Sequence, residues 1–331
     1  MMKLITLLMV ATLPLTSPSA AAQQKIPILF DTDFGPDYDD VGAIALLHAF
    51  ADSGYVDILA TGASSKYENA AAALCAFNTY FGRPDVPVGV VKGKALDLGD
   101  WQHWSDSVIA NYPHRIKSND EVPDAVEVYR RALSEQRDFS VTIITVGFFT
   151  NMAHLLQSPP DNLSPLNGME LVKRKVRHLV SMAGRMPSGF EFNVSKDPSS
   201  SRYVFKYWPT PILFSGFEIG AKIHCGLPLI HNEAIRHDPV KDVFSIAIPK
   251  APEDSAGRMS WDETAVLIAV KGWASWYSVV PGRMRCDEDG KDDWDPAGSG
   301  HLYIKEVAPP AEVQARIDRL IQHQPVYRAA Q

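Results

Sequence analysis

The sequence predicts an α/β protein with one mostly parallel, doubly wound, Rossmann-like sheet and helices on both faces, in a single domain. Short apolar segments rich in β-forming residues alternate with segments of helical pattern along most of the chain. This alternation is typical of a parallel sheet in which helices connect the strands. No internal repeat, low-complexity tract or long linker divides the chain, which indicates one catalytic domain at 23–331.

The predicted elements follow one another in a regular order. "IPILFDTD" is a short apolar run that ends in acidic residues and predicts the first strand, and "DDVGAIALLHAF" has the pattern of a helix. "VDILATGAS" is again strand-like, and the alanine-rich "ENAAAALCAFNTYF" is strongly helical. The remaining segments predict, in order, strand VPVGVV, helix PDAVEVYRRALSEQ, strand SVTIITVG, helix TNMAHLLQS, strand VRHLVSMAG, helix PSSSRYVFKYW and strand TPILFSGFEIG.

Composition excludes some classes of partner. The 331 residues include 46% apolar and 21% charged residues, with a net charge of −7 and a pI near 5.8. This balance gives no reason to expect binding to nucleic acid or to an anionic membrane. The three cysteines are too few for a disulfide framework; Cys75 is expected in the core, and a bridge between Cys225 and Cys286 is compatible with the sequence but not required.

The N-terminus has the build of a secretory signal peptide. Lys3 is followed by an apolar run and by the small residues "PSAAAQ", which predict cleavage after Ala22 and a signal peptide at 1–22. The apolar run is interrupted by Pro14 and is shorter than the ~20 residues that a membrane span needs. We therefore expect an exported bacterial protein, periplasmic or secreted.

An unusual cluster of acidic residues follows the first strand. "FDTDFGPDYDD" places five aspartates within residues 31–40. Two carboxylates about 4 Å apart repel each other by roughly 4 kcal/mol at an effective dielectric constant of 20. A helix N-terminus accounts for one or two acids, but not for five. Clustered carboxylates supply the six to eight oxygens that Ca²⁺ prefers, so the sequence predicts a metal site here.

The order of the elements places this site in the fold. In open α/β sheets, ligands bind at the carboxyl ends of the strands. The aspartates, the "TVG" at 145–147 and the loop "SMAGRMPSGFEFN" each follow a predicted strand. These polar loops are expected to converge on one edge of the sheet.

Four segments in register carry a family resemblance. "DTDFGPDYDD" resembles the N-terminal signature of the inosine–uridine-type nucleoside hydrolases, with two additional residues in the turn. "ITVGFFTNMAHLL", "FEFNVSKDPSSSRYV" and "MSWDETAVLIAV" resemble later segments of the same family, in the expected order. The resemblance spans nearly all of the mature chain. It implies Ca²⁺-dependent hydrolysis of the N-glycosidic bond of a small-molecule nucleoside or related riboside, by a dimer or a tetramer.

The resemblance also implies roles for individual residues. Asp33, Asp40 and Asp262 match the carboxylates that bind the metal, and Thr145 lies where the family supplies a backbone carbonyl to the same ion. Asp39 matches the carboxylate that takes a proton from the metal-bound water.

Further roles rest on the later motifs and on the altered turn. Because of the additional residues in the signature, Asp37 competes with Asp39 for the proton-transfer role or for a ligand position. Glu191 and Asn193 match residues that hydrogen-bond sugar hydroxyls. Asn151 is expected to cap the helix that follows the fourth strand.

Two features depart from the family pattern. Trp261 stands where many members have a histidine that could protonate the leaving base. An indole cannot usefully donate that proton; it either stacks on a base or simply packs at the start of a helix. His301 is then one candidate acid, and a surface histidine is the alternative. Tyr67, His103 and Trp104 are in loops that could border the base pocket, and "DWQHW" at 100–104 is equally compatible with a packed aromatic loop. Ser64 and its neighbours replace a sugar-contacting asparagine, which leaves the ribose specificity open.

Two other classes of function remain compatible with the residues. An exported protein with this fold could bind a nucleoside or sugar without turning it over. A phosphatase of the haloacid-dehalogenase type also begins with Asp-x-Asp after a strand, but its motif requires Thr or Val where this chain has Gly35. "DGKDDWD" at 289–295 would have to supply the later acidic pair of such a phosphatase.

Overall fold

The computed structural model describes residues 24–326; the predicted signal peptide at 1–22 lies outside them. The strands are β1 (Ile26–Thr32), β2 (Val56–Ala63), β3 (Val88–Val90), β4 (Val141–Thr145), β5 (Val176–Met182), β6 (Ser188–Gly189), β7 (Ile212–Ser215), β8 (His224–Cys225), β9 (Arg258–Met259), β10 (Tyr277–Cys286), β11 (Asp292–Asp295) and β12 (His301–Glu306). The α-helices are α1 (Asp39–Asp52), α2 (Ala70–Tyr80), α3 (Trp104–Asn111), α4 (Ala125–Ser134), α5 (Thr150–Gln157), α6 (Gly168–Lys175), α7 (Phe192–Lys196), α8 (Pro198–Tyr207), α9 (Phe217–Gly220), α10 (Leu227–Ile230), α11 (Pro239–Ala247), α12 (Trp261–Lys271) and α13 (Pro310–Ile321).

The central sheet confirms the predicted fold class. Seven strands are parallel, in the order β3-β2-β1-β4-β5-β7-β12. β10, β11 and β6 then extend the sheet in antiparallel pairing. The sequence did not predict this extension, because these strands are short or rich in polar residues. The predicted segment "TPILFSGFEIG" is strand only to Ser215, and its second half forms α9.

Apolar side chains cover both faces of the sheet. One core joins α1, α2, α3, α11, α12 and α13 to one face, and a second core joins α4, α5, α6 and α8 to the other. The strands between the two cores have nearly continuous apolar sequences, because both faces of the sheet are buried there. Cys75 lies in the first core as predicted, and Cys225 and Cys286 are free thiols rather than a disulfide. Within 24–326, no helix combines the length and the apolar character that crossing a membrane requires.

The strand order creates a switch point beside the aspartate cluster. β1 lies between β2 and β4, and the chain leaves β1 toward one side of the sheet and later returns to the other side. Asp31 at the end of β1 is paired with Thr145 at the end of β4. A crevice at this position is where open α/β sheets bind their ligands.

Gly147 allows the loop after β4 to approach the loop after β1 closely. A Cβ atom at Gly147 would lie 2.4 Å from the backbone nitrogen of Asp33 and 2.7 Å from the carbonyl carbon of Thr32. Both contacts are with backbone that is fixed in the sheet, so no side-chain rotation can relieve them. Glycine is therefore required here by the close approach of the two loops.

We predict that Gly147→Ala destabilises the protein by about 1–3 kcal/mol, the usual cost of forcing extra atoms into a packed interior. Urea unfolding monitored by circular dichroism measures this change. Gly99→Ala is the matched control, because its nearest side-chain contact would be an ordinary 3.5 Å with Tyr67. Equal stability of the two variants would contradict the steric role of Gly147.

Candidate active site

Two buried aromatic side chains fix the aspartate-rich loop. Phe34 packs edge-on against Phe77 and Trp104, and Tyr38 packs edge-on against Phe244. The Tyr38 hydroxyl donates a hydrogen bond of 2.7 Å to Asp254. These anchors bury the apolar residues that alternate with the aspartates, and the carboxylates are thereby held on one side of the loop.

Asp31 is the structural member of the acidic series. Its carboxylate accepts hydrogen bonds from the Tyr129 hydroxyl (2.6 Å), the Asn151 amide (2.7 Å) and the Thr145 hydroxyl (3.1 Å). Asp31 therefore ties β1 to β4, α4 and α5. The prediction that Asn151 caps α5 is wrong, because Asn151 is the second residue of that helix. Its side-chain amide donates hydrogen bonds to Asp31 and to the Ala63 carbonyl instead.

Four of the remaining acids meet at one point. Carboxylate oxygens of Asp37, Asp39, Asp40 and Asp262 all lie within 4.8 Å of one another. Asp33 lines the same cavity. The set combines the loop after β1, the first turn of α1 and the first turn of α12. The structure thus brings the sequence-predicted acids together, and Thr145 lies at the adjacent end of β4.

Burial and like charge raise the pKa values of these acids. Burial, followed by repulsion from neighbouring carboxylates, raises the pKa of Asp33 and Asp262 well above the usual range. The same two causes raise the pKa of Asp37 and Asp40. Protons or a further cation would relieve this repulsion.

The donor set fits a hard metal cation. All the groups are oxygen donors, which Ca²⁺ and Mg²⁺ prefer. Asp40 is fully buried; one of its oxygens accepts from the Thr32 hydroxyl, and the other has no hydrogen-bond partner. A buried carboxylate oxygen without a partner is costly in a folded protein unless an ion satisfies it.

Asp39 and Asp37 have different surroundings. Asp39 is buried, and one of its oxygens accepts hydrogen bonds from Arg258 Nη2 (2.6 Å) and Nε (3.1 Å). Its other oxygen accepts from the backbone nitrogens of Trp261 (3.2 Å) and Asp262 (3.3 Å) at the start of α12. Asp37 has a side chain that is 36% exposed, and its contact with Arg258 is longer, 3.3 Å. Asp37 is therefore the freer carboxylate.

Glu191 and Asn193 also line the cavity, where they present acceptor oxygens. The Glu191 carboxylate caps α7 by accepting from the backbone nitrogens of Asn193 and Val194, and it also accepts from the backbone nitrogen of Gly184 after β5. Burial raises the pKa of Glu191 to about 7. The Asn193 amide nitrogen donates to the carbonyls of Val146 (2.9 Å) and Met182 (3.3 Å). The Asn193 carbonyl oxygen and one remaining carboxylate lone pair are then left for hydroxyl donors.

An aromatic wall completes a cavity of about 380 Å³. The ring of Trp261 lies 5.2 Å from that of Phe217, and the Trp261 indole donates a 2.8 Å hydrogen bond to the Phe217 carbonyl. Phe192, which is 39% exposed, lines the same cavity. The Trp261 indole is thus oriented by a hydrogen bond and presents a flat apolar surface beside the acids.

His301 is not part of this site. It is the first residue of β12 and pairs with the first residue of β7, at the edge of the sheet opposite to the aspartates. Its Nδ1 accepts from the backbone nitrogen of Met284, and its ring packs against Phe214. Burial lowers the pKa of His301 to about 3, so it is a neutral core histidine rather than a surface histidine or an acid for the leaving base.

Other sequence candidates also lie apart from the acids. "DGKDDWD" forms β11 and its turn, where Asp292 accepts from the backbone nitrogens of Arg185 and Glu191; it therefore does not supply the acidic pair of a phosphatase. Trp104 is buried against Phe34, whereas His103 is largely exposed and paired with Asp106, and neither residue lines the cavity. The Ser64 hydroxyl donates a hydrogen bond to the Thr32 carbonyl.

Sequence reasoning missed Arg258, Phe192 and Phe217. Arg258 lies only four residues before Asp262, which is the one signal that could have drawn attention to it. Phe192 lies within the "FEFN" segment, where the motif indicates roles only for the neighbouring sugar-binding residues. Phe217 lies in a segment whose pattern predicts strand and gives no indication of a cavity wall.

The doubly wound sheet and the acidic centre at its switch point define an α/β enzyme with a metal-binding site. The chain belongs to the inosine-uridine preferring nucleoside hydrolase family, whose family model matches residues 28–300. It is therefore a ribonucleoside N-ribosyl hydrolase of a metal-dependent family, and its substrates are small-molecule nucleosides. No curated protein sequence matches the chain significantly.

Solved structures of nucleoside hydrolases share this fold. The plant nucleoside hydrolase PpNRh1 is 18% identical, with a TM-score of 0.67 over 90% of this chain and 98% of its own. The purine-preferring ribonucleoside hydrolase from Gardnerella vaginalis is 17% identical, with a TM-score of 0.69 over 89% and 99%. The inosine-uridine preferring nucleoside hydrolase from Bacillus anthracis is 15% identical, with a TM-score of 0.68 over 90% and 99%. At these identities the likeness establishes the fold alone.

We predict that His301→Asn leaves nucleoside hydrolysis within about threefold of the wild type, because a group at the opposite edge of the sheet contributes nothing to transition-state binding. The native histidine stays neutral while the unfolded one, with a pKa near 6.5, takes up a proton. Wild-type stability should therefore fall further than that of the variant between pH 7 and pH 4, by about 3 kcal/mol.

Steady-state kinetics and denaturant titrations at several pH values test both parts. The Asn side chain keeps an acceptor for the Met284 nitrogen, so the comparison isolates the titrating ring. A loss of about a hundredfold in kcat with unchanged stability would instead indicate that His301 takes part in catalysis.

Proposed function

We propose that this protein catalyses Ca²⁺-dependent hydrolysis of the N-glycosidic bond of ribonucleosides. The observation that carries the proposal is the meeting of Asp37, Asp39, Asp40 and Asp262 beside a cavity that also exposes Glu191. One wall of that cavity offers oxygen acceptors suited to a sugar, and the other offers aromatic faces suited to a base.

Asp33, Asp40, Asp262 and the backbone carbonyl of Thr145 would hold the ion. Two features of the site support Ca²⁺ as the ion. All of its donor atoms are oxygens, and one buried oxygen of Asp40 has no hydrogen-bond partner. When bound, the ion supplies Lewis acidity, which orients sugar hydroxyls and makes a neighbouring water more acidic. The surrounding carboxylates stabilise the positive charge that develops on the sugar as the bond breaks.

We assign the proton transfer to Asp37 rather than to Asp39. A general base needs a carboxylate oxygen that is free to approach water. Both oxygens of Asp39 already accept two hydrogen bonds each, whereas Asp37 lines the cavity, is 36% exposed and, besides its hydrogen bond with Asp40, has only a 3.3 Å contact with Arg258. Asp39 then acts as an anchor between α1, β9 and α12.

Glu191 and Asn193 would position the sugar, and Trp261 would stack on the base. The free acceptor oxygens of Glu191 and Asn193 suit hydroxyl donors, and the partly exposed Trp261 indole suits a planar ring. The described residues that line the cavity include no histidine. The leaving base is therefore stabilised by stacking on the aromatic wall and by the acceptor atoms of the base itself, which can take up a proton. The predicted signal peptide supports export, and the N-terminal sequence of the mature protein would test it.

The central test is metal-dependent release of reducing sugar from separate purine and pyrimidine ribonucleosides. We expect hydrolysis that disappears on chelation and returns with Ca²⁺. Asp262→Asn should lower kcat/KM by at least about a hundredfold, as loss of a transition-state electrostatic group does. Asp293→Asn is the control, since this acid lies in β11 outside the cavity.

The same assay separates the rival readings. Tight nucleoside binding without sugar release would support a binding protein. Release of sugar only from N-ribosides other than nucleosides would show that the protein is a hydrolase with a different substrate. Hydrolysis that survives exhaustive chelation would overturn the metal proposal.

Trp261 has a prediction of its own. Trp261→Ala should raise KM for nucleosides by about tenfold, because loss of base stacking removes ~1–3 kcal/mol of binding. Trp261→Phe keeps an aromatic face and loses only the hydrogen bond to Phe217, so it should stay within about threefold of the wild type. Steady-state kinetics with inosine and uridine would show this order, and equal KM values for all three proteins would contradict stacking.

A further inference from the structure

We propose that Arg258 is a positioning residue of the metal centre: a fixed internal counter-ion that keeps Asp39 out of the metal's ligand set. The inference rests on the proposed metal-dependent function and adds a residue that none of the sequence motifs includes. Arg258 lies on β9, four residues before Asp262.

Arg258 is a buried cation within the acidic cluster. Its side chain is 10% exposed, and its guanidinium contacts three carboxylates: Asp39 at 2.6 Å, Asp37 at 3.3 Å and Asp254 at 3.6 Å. Two of its nitrogens share one oxygen of Asp39. Charge-assisted hydrogen bonds of this kind are stronger than neutral ones and fix the geometry of both partners.

Residues outside the metal cluster hold the guanidinium in place. It lies 4.9 Å from the ring centre of Tyr38 and 5.2 Å from that of Trp261. Tyr38 is itself fixed by its hydrogen bond to Asp254, and Trp261 by its hydrogen bond to Phe217. Arg258 is therefore oriented by aromatic and ionic contacts and cannot swing away when a metal binds.

Asp39 has no lone pair left for a metal. A carboxylate offers about four acceptor positions, and Asp39 uses two for Arg258 and two for the backbone nitrogens of Trp261 and Asp262. Of the four acids that meet within 4.8 Å, Asp39 is the one that accepts hydrogen bonds from two guanidinium nitrogens of Arg258, whereas the contact of Arg258 with Asp37 is longer, 3.3 Å. The remaining acids, together with Asp33, are left for the ion and for proton transfer.

This arrangement limits how tightly the site holds its ion. A positive charge a few ångströms from the cluster opposes a divalent cation, and burial weakens the screening of that opposition. Without Arg258, Asp39 would turn to the ion as an additional acidic ligand. The ion would then bind more tightly, in a geometry that hinders the exchange of water and sugar hydroxyls.

The test is the Ca²⁺ affinity of Arg258→Gln, measured at one pH by competition with a chelating dye. We expect Ca²⁺ to bind at least about tenfold more tightly than in the wild type, while kcat falls at least about tenfold. A merely structural arginine gives the opposite sign, because a loosened site binds its ion more weakly. Arg130→Gln is the matched control: Arg130 is also buried and paired, with Asp161, in the other core, and its loss should not tighten Ca²⁺ binding.

Two further variants keep the test decisive if Arg258→Gln folds poorly. Arg258→Lys retains the charge and should keep the Ca²⁺ affinity within about threefold while lowering kcat, because an ammonium cannot reproduce the guanidinium geometry. The double variant Arg258→Gln/Asp39→Asn removes the charge pair together, so its Ca²⁺ affinity should return to about the wild-type value.

Unchanged or weaker Ca²⁺ binding in folded Arg258→Gln overturns the proposal, and so does a double variant that binds as tightly as the single one. Failure of the wild type to bind Ca²⁺ or to release sugar from any nucleoside would overturn the proposed function instead. The two failures are therefore distinguishable.

Discussion

Mutual repulsion among buried carboxylates is the constraint on which the rest of this site depends. The acids at the end of β1 and at the start of α1 and α12 are too close to remain ionised without compensation. The protein supplies part of that compensation itself, through Arg258 and through the backbone nitrogens at the start of α12. A metal ion held by the remaining acids would supply the rest.

The neighbouring elements hold the repelling groups in place. Phe34 and Tyr38 secure the aspartate loop through aromatic packing, and Asp31 uses its own carboxylate to tie β1 to three other elements. Gly147 permits the loop after β4 to lie against the backbone of Asp33. The clustered acids therefore lie directly after a buried strand and at the starts of two buried helices, and this packing fixes their geometry.

The cavity is chemically divided in a way that suits a nucleoside. Its inner side presents acceptor oxygens, since the donors of Asn193 are already used by backbone carbonyls. Its other side is formed by Phe192, Phe217 and Trp261. A sugar and a base differ in the same way, one rich in hydroxyl donors and the other flat and stackable.

The sequence by itself determined the fold class, the order of the main strands and helices from β1 to β7, though not α3, α6, β6 or α7, and the identity of the acidic residues. Hydrophobic periodicity and turn chemistry are local properties, and the five aspartates stand in one short segment. Tertiary structure alone decided the antiparallel extension of the sheet, the burial of His301 in the core and the pairing of Asn151 with Asp31. It also separated Asp37 from Asp39, because the partner that distinguishes them, Arg258, is more than two hundred residues away along the chain. Contacts at such separations depend on how the elements pack, which no local pattern records.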